Sequence, residues 1–225
     1  MNSEIKIITV DGPSGVGKGT LSQSLANHFG FHLLDSGAIY RVLALYLIQN
    51  DEQDALEDEI VQFAQAMDVC FGSKTQKVQV LLSKQDVSEL IRAEHVGTLA
   101  SKIAALPKVR EQLLQKQIDF AKLPGLVADG RDMGTVVFPK AFAKLFIDAS
   151  SEARALRRVN QLKERGLSFN YHTVLDDIIQ RDIRDRTRTI APLVPAEDAL
   201  VIDTTSLRID EVFKKALNFV EGKLG

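Results

Sequence analysis

Residues 12–20 read GPSGVGKGT, a glycine-rich turn of the form Gly-x-x-x-x-Gly-Lys that ends on a single lysine. Glycine backbone can wrap a polyphosphate with its N–H groups pointing inward. A helix beginning near Lys18 adds unsatisfied N–H groups and a positive dipole end, and Lys18 supplies the cation for the β- and γ-phosphates. Gly12, Pro13, Ser14, Gly15, Val16, Gly17, Lys18, Gly19 and Thr20 are therefore the candidate phosphate cradle. The hydroxyl that usually follows the lysine is displaced by one residue: position 19 is glycine and Thr20 carries the hydroxyl.

Three other stretches could hold a second anion. LLDSGAIYR (residues 33–41) is expected to turn at Ser36 and Gly37 and to carry Tyr40 and Arg41 on the first turn of the next helix. VADGRDMGT (127–135) places Asp129, Arg131 and Asp132 at the end of an apolar run. RDIRDRTR (181–188) ends a helical pattern, and its spacing predicts one shared face for Arg181, Arg184, Asp185 and Arg188. Like charges so spaced repel one another. Beside a phosphate cradle, an arginine face is better explained by phosphoryl groups, which arginine grips through its fork of donors. A guanine-reading Asn-Lys-x-Asp does not occur, which argues against a GTPase.

The elements that must position these groups follow from the apolar pattern. Residues 5–10, 31–34, 126–128, 144–147 and 200–202 are short apolar runs without alternation, as a parallel sheet covered on both faces requires. Each ends at or near an aspartate: Asp11, Asp35, Asp129, Asp148 and Asp203. Helical spacing marks 21–29, 38–48, 107–120, 152–164 and 174–186. Strands alternating with helices predict a doubly wound α/β fold whose ligands collect at the carboxyl ends of the strands. Residues 68–88 break the alternation and read as a small antiparallel insert. The acidic stretch 51–59 reads as a solvated turn and helix start.

Composition narrows the class. The chain has 225 residues, 45% hydrophobic and 26% charged, which suits one globular domain with inserts. A net charge of −2 offers no global attraction to nucleic acid or to an anionic membrane surface. The one cysteine, Cys70, excludes an intrachain disulfide and suits a reducing compartment. No apolar run approaches the ~18 residues needed to span a bilayer. Residues 1–6 do not resemble a signal peptide, so a cytoplasmic location is expected.

Together GPSGVGKGT, LLDSGAIYR, ADGRDMGTVVFP, RDIRDRTRTIAPLVPA and the closing ALVIDTTSL resemble the bacterial cytidylate kinases, a branch of the P-loop nucleoside monophosphate kinases. The resemblance covers nearly the whole chain. It implies a five-stranded parallel sheet wrapped by helices in a single kinase domain, with an NMP-binding segment at 36–120 and a lid at 157–170. It implies transfer of the γ-phosphoryl of ATP to CMP or dCMP with Mg²⁺, in pyrimidine nucleotide metabolism, by a monomer. ATP would be held by Gly12 to Thr20 and by Arg157 of the lid. The CMP phosphate would be held by Arg41, Arg131 and Arg188, with Ser36 and Tyr40 nearby. Ser101, Arg110 and Asp132 would read cytosine, and Arg181 with Asp185 the sugar. Lys18, Arg131, Arg184 and Arg188 would neutralise the transferring group, and Thr20 and Asp129 would hold Mg²⁺ directly or through water. The competing readings are a P-loop kinase for UMP or a small metabolite, and a nucleotide-binding switch without transfer activity.

Overall fold

The computed structural model of the chain describes residues 5–74, 77–164 and 166–223. Part of the expected N-terminal stretch (1–4), the tip of the expected insert (Thr75, Gln76) and Arg165 of the expected lid lie outside the described residues. The described chain forms two compact units, one from residues 1–34 with 120–225 and one from Asp35–Asp119.

The first unit is built on strands β1 (Lys6–Asp11), β2 (His32–Asp35), β6 (Gly125–Gly130), β7 (Ala143–Asp148) and β8 (Leu200–Asp203). They form one sheet in the order β2-β6-β1-β7-β8. All five expected apolar runs match these strands to within two residues, with 5–10 and 31–34 each shifted by one. β1 runs parallel to β6 with Asp11 beside Gly130, and parallel to β7 with Asp11 beside Phe146. That register brings the start of the glycine loop next to the Arg131 turn. Helices α1 (Lys18–Phe29), α6 (Ser151–Glu164), α7 (Tyr171–Thr187) and α8 (Ile209–Gly222) complete this unit. Ile8, Val10, Val127, Leu145 and Ile147 of the sheet pack with Leu25 of α1 and Ala216 of α8 in a fully buried cluster. Burial of this kind is the main favourable term in folding.

The second unit holds α2 (Ser36–Gln49), α3 (Glu57–Ala66), α4 (Glu94–Ile103) and α5 (Pro107–Ile118). The expected insert is a three-stranded antiparallel sheet of β3 (Val69–Lys74), β4 (Lys77–Leu82) and β5 (Gln85–Asp86). The acidic stretch does end in a helix start, since Glu57, Asp58 and Glu59 form the first turn of α3, where negative charge suits the dipole.

Two expectations are corrected here. Ser36 and Gly37 do not form a separate turn, because α2 begins directly at Ser36 and Asp35 caps it by accepting the Ala38 N–H at 3.1 Å. An aspartate at this position satisfies an otherwise orphaned donor, so strand passes into helix without a loop, and Tyr40 and Arg41 fall on the second turn. Arg188 does not share the helical face of Arg181, Arg184 and Asp185. α7 ends at Thr187, and Arg188 has an extended backbone at φ −61°, ψ 140°.

Candidate active site

The cradle starts where β1 ends. Gly12 has φ 148°, and a Cβ placed there would lie 2.0 Å from the Ile147 carbonyl oxygen of β7. No side chain fits that approach, so the requirement for glycine at position 12 is steric. From Lys18 onward the chain is helical, with Gly17 at the cap. Lys18 is buried and folds back over its own loop: Nζ donates to the Pro13 carbonyl at 2.8 Å and stands 3.9 Å from Asp129 Oδ1. The two sequence candidates Lys18, first residue of α1, and Asp129, near the end of β6, are thus brought together.

Asp11 locks that junction. Its carboxylate accepts the backbone N–H groups of Met133 (2.8 Å) and Gly134 (2.7 Å), which open a single π-turn at Met133–Val137. Burial drives its carboxyl up to about 6 against the pull of those two hydrogen bonds, with Asp132 raising it further and Lys18 lowering it. Asp11 appeared in the sequence only as one of five strand-end aspartates. Its partners are 122 and 123 positions away, so no local pattern marks the bond.

Around the Arg131 turn the acidic and basic candidates meet. Arg131 Nε donates to Asp185 Oδ2 at 2.9 Å and Arg131 Nη1 to the Gly130 carbonyl at 3.2 Å. Arg188 Nη2 lies 3.5 Å from Asp132 Oδ1, with both side chains buried. Burial alone would raise the Asp185 carboxyl, but the charges of Arg131, Arg181 and Arg188 hold it below the usual carboxylate range. Arg131 is bonded to this carboxylate, and the charges of Arg181 and Arg188 act on it. Arg184 sits half-buried on α7. Arg157 is turned onto Thr204, donating to its carbonyl at 2.5 Å and to its hydroxyl at 3.3 Å. The Thr204 hydroxyl reaches the Val16 carbonyl of the cradle at 3.3 Å.

Within the Asp35–Asp119 unit, Arg41 Nη1 donates to the Ile91 carbonyl at 2.8 Å. Its guanidinium lies against Gly97 of α4, where a Cβ would come within 2.9 Å of Nη1 and Nη2. Arg110 reaches the Ala104 carbonyl at 3.1 Å and stands over the Tyr40 ring. Ser36, Ser101 and Arg110 are buried polar side chains.

The cytidylate kinase family model matches residues 8–222. The chain belongs to the cytidylate kinase family. Curated relatives named cytidylate kinase support the assignment. The Vibrio vulnificus protein is 55% identical over all of this chain and 99% of its own. The Vibrio parahaemolyticus protein is 56% identical over the same shares, and the Aeromonas hydrophila protein is 54% identical over 97% of this chain and 95% of its own. No helix among the described residues is long and apolar enough to cross a membrane.

Asp129 and Thr20 are the residues at the cradle that could hold a divalent cation. Asp129 Oδ2 stands 3.7 Å from where a Cβ on Gly19 would lie, beside the exposed Thr20. Among the described residues no cluster of three or more His, Cys, Asp or Glu is arranged to hold a metal. One carboxylate and one hydroxyl next to a phosphate cradle suit Mg²⁺, which keeps most of its waters and leans on substrate phosphates.

Proposed function

We infer that the protein transfers the γ-phosphoryl group of ATP to CMP or dCMP, giving ADP and CDP or dCDP. Membership of the cytidylate kinase family supports the reading. The observation that carries it is the adjacency of Lys18 and Asp129 at the cradle to the Arg131–Asp185 and Arg188–Asp132 pairs. Donor-phosphate and acceptor-phosphate chemistry thereby share one end of one sheet.

Phosphoryl transfer asks mainly for alignment and charge stabilisation, with no covalent intermediate on the protein. The N–H groups of residues 12–20 and the start of α1 hold the donor phosphates. Lys18 opposes the charge that builds on the leaving oxygen as the terminal P–O bond breaks. The nucleophile is already an anionic phosphate oxygen of CMP, so no strong general base is required. Arg131 and Arg188 lower the repulsion between the two phosphate groups, joined by Arg41 and Arg184 in the same role. Asp185 keeps Arg131 oriented. Mg²⁺, held through Thr20 and Asp129 directly or by water, would supply further neutralisation of the phosphate oxygens. Arg157, fixed on Thr204, is assigned to the ATP side. Ser101, Arg110 and Asp132 are assigned to cytosine, Arg181 with Asp185 to the sugar, and Ser36 and Tyr40 to the neighbourhood of the acceptor phosphate. Residues 157–170 are assigned as a lid and 36–120 as the acceptor-binding segment.

The test is a coupled ADP-release assay across the nucleoside monophosphates. Release that depends on CMP or dCMP supports the reading. Release that requires UMP or another metabolite instead, or hydrolysis indifferent to any acceptor, overturns it.

A further inference from the structure

Arg154 of α6 is a charged side chain, yet it is 2% exposed and ranks among the largest fully buried side chains. Burying a guanidinium is costly unless every donor is matched, and here all five are. Nε donates to the Ala149 carbonyl at 3.1 Å. Nη1 donates to the Ser14 carbonyl at 3.1 Å and to Asp182 Oδ1 at 3.0 Å. Nη2 donates to Ser151 Oγ at 3.0 Å and to Asp182 Oδ2.

Two of these acceptors belong to functional segments. Ser14 is in the phosphate cradle. Asp182 is on α7, next to Arg181 and one turn before Asp185. The Ser14–Gly15 peptide is trans, since the cis bond found among the described residues is Leu123–Pro124. In a trans peptide the carbonyl and the following N–H point in opposite directions. A donor fixed on the Ser14 carbonyl therefore also fixes where the Gly15 N–H points, and that N–H is one of the cradle's anion donors. At the other end, the two-point grip on Asp182 fixes the rotation of α7 about its axis, and so the direction of Arg181 and Asp185. Packing α6 on α7 alone would not call for an ion pair, because apolar side chains of similar volume do that at least as well. What arginine adds is a planar fork that serves a carboxylate and a carbonyl at once.

We propose that Arg154 is a positioning residue that holds the phosphate cradle at Ser14 and the arginine-bearing helix at Asp182 in one arrangement, so that donor and acceptor phosphates are aligned together. The inference rests on the kinase reading above and assigns Arg154 no contact with substrate.

The test compares wild type, Arg154→Lys, Asp182→Asn and the double variant as full-length proteins. The readouts are kcat at saturating ATP and CMP, scaled to the folded fraction by circular dichroism, and the separate KM values. Lysine keeps the charge but cannot serve these acceptors from one planar fork, and asparagine keeps the shape but not the bidentate charge pair. The expected result is a fall in kcat per folded molecule of roughly 10²-fold for Arg154→Lys, the scale of a misplacement near 1 Å. A smaller fall is expected for Asp182→Asn, with the double variant no worse than the more damaged single variant, because the two act as one unit. A purely structural role would lower thermal stability and leave kcat per folded molecule intact; that outcome, or losses that multiply, overturns the proposal. Should Arg154→Lys fail to fold, Asp182→Asn decides alone: reduced kcat supports the proposal and wild-type kcat overturns it. Wild-type protein without CMP-dependent ADP release would instead overturn the kinase reading on which the proposal rests.

Discussion

The Asp11 carboxylate and the Gly134 backbone N–H meet at 2.7 Å, joining the end of β1 to the turn that follows β6. Burial raises this carboxyl to about 6 from 3.8, so its proton is held more tightly in the folded chain than in the unfolded one. The stability it contributes is complete below about pH 4, where both states are protonated, and is lost as pH rises through about 6. The total is on the order of 3 kcal/mol. Asp11→Asn removes this titration. Urea midpoints at several pH values should show wild type gaining on the variant as pH falls from about 7 to about 4; parallel profiles would refute the assignment.

Lys18 is held between the Pro13 carbonyl and Asp129. Lys18→Ala should leave the fold intact, since the ammonium serves a site and not the apolar core. CMP-dependent kcat should fall ~10²-fold or more, the scale of losing one preorganised charge contact. Near wild-type kcat in the coupled assay would remove Lys18 from the mechanism.

Asp132 is buried with its carboxylate toward Arg188. A carboxylate accepts from the cytosine amino group and faces a carbonyl oxygen in uracil. Each mismatched buried polar group costs roughly 1–3 kcal/mol. Asp132→Asn can rotate its amide to offer donor or acceptor, so the CMP/UMP ratio of kcat/KM should narrow, chiefly through lost CMP activity. An unchanged ratio would show that Asp132 does not read the base.

Gly97 lies inside α4, where alanine would ordinarily stabilise by up to ~1 kcal/mol. The added Cβ would press on the Arg41 guanidinium at 2.9 Å. Gly97→Ala should therefore hold or raise the melting temperature while raising KM for CMP about tenfold, equivalent to ~1.4 kcal/mol. An unchanged KM would mean that Arg41 does not hold the acceptor phosphate in this pose.

The strands and the cradle are legible because both are local signals: three-to-six-residue apolar runs, and glycines at fixed offsets from a lysine. Helix ends were less legible. The 3.6-residue period carried Arg188 onto the face of Asp185, but periodicity does not register where hydrogen bonding stops, and α7 stops at Thr187. Serine and glycine after a strand suggested a turn at 36–37, and the capping power of Asp35 prevailed. The helical spacing does not mark α4 or α8, although Asp210 and Glu211 in the first turn of α8 are a usable start signal. The Asp11 clamp and the Arg154 fork had no sequence signature, because the Arg154–Ser14 bond spans 140 positions and the clamp nearly as many.

The chain leaves the parallel sheet at the end of β2, forms the whole Asp35–Asp119 unit, and returns to the sheet at β6, the strand adjacent to β2. The entropy of closing such an excursion grows only with the logarithm of its length, ~0.6 kcal/mol for each doubling. The sheet that carries the cradle is thus nearly indifferent to how much chain is housed between β2 and β6. If Arg41, Ser101 and Arg110 choose the acceptor as proposed, the segments bearing them can lengthen or shorten at small thermodynamic cost, and acceptor choice can diversify in descent while the sheet stays as it is.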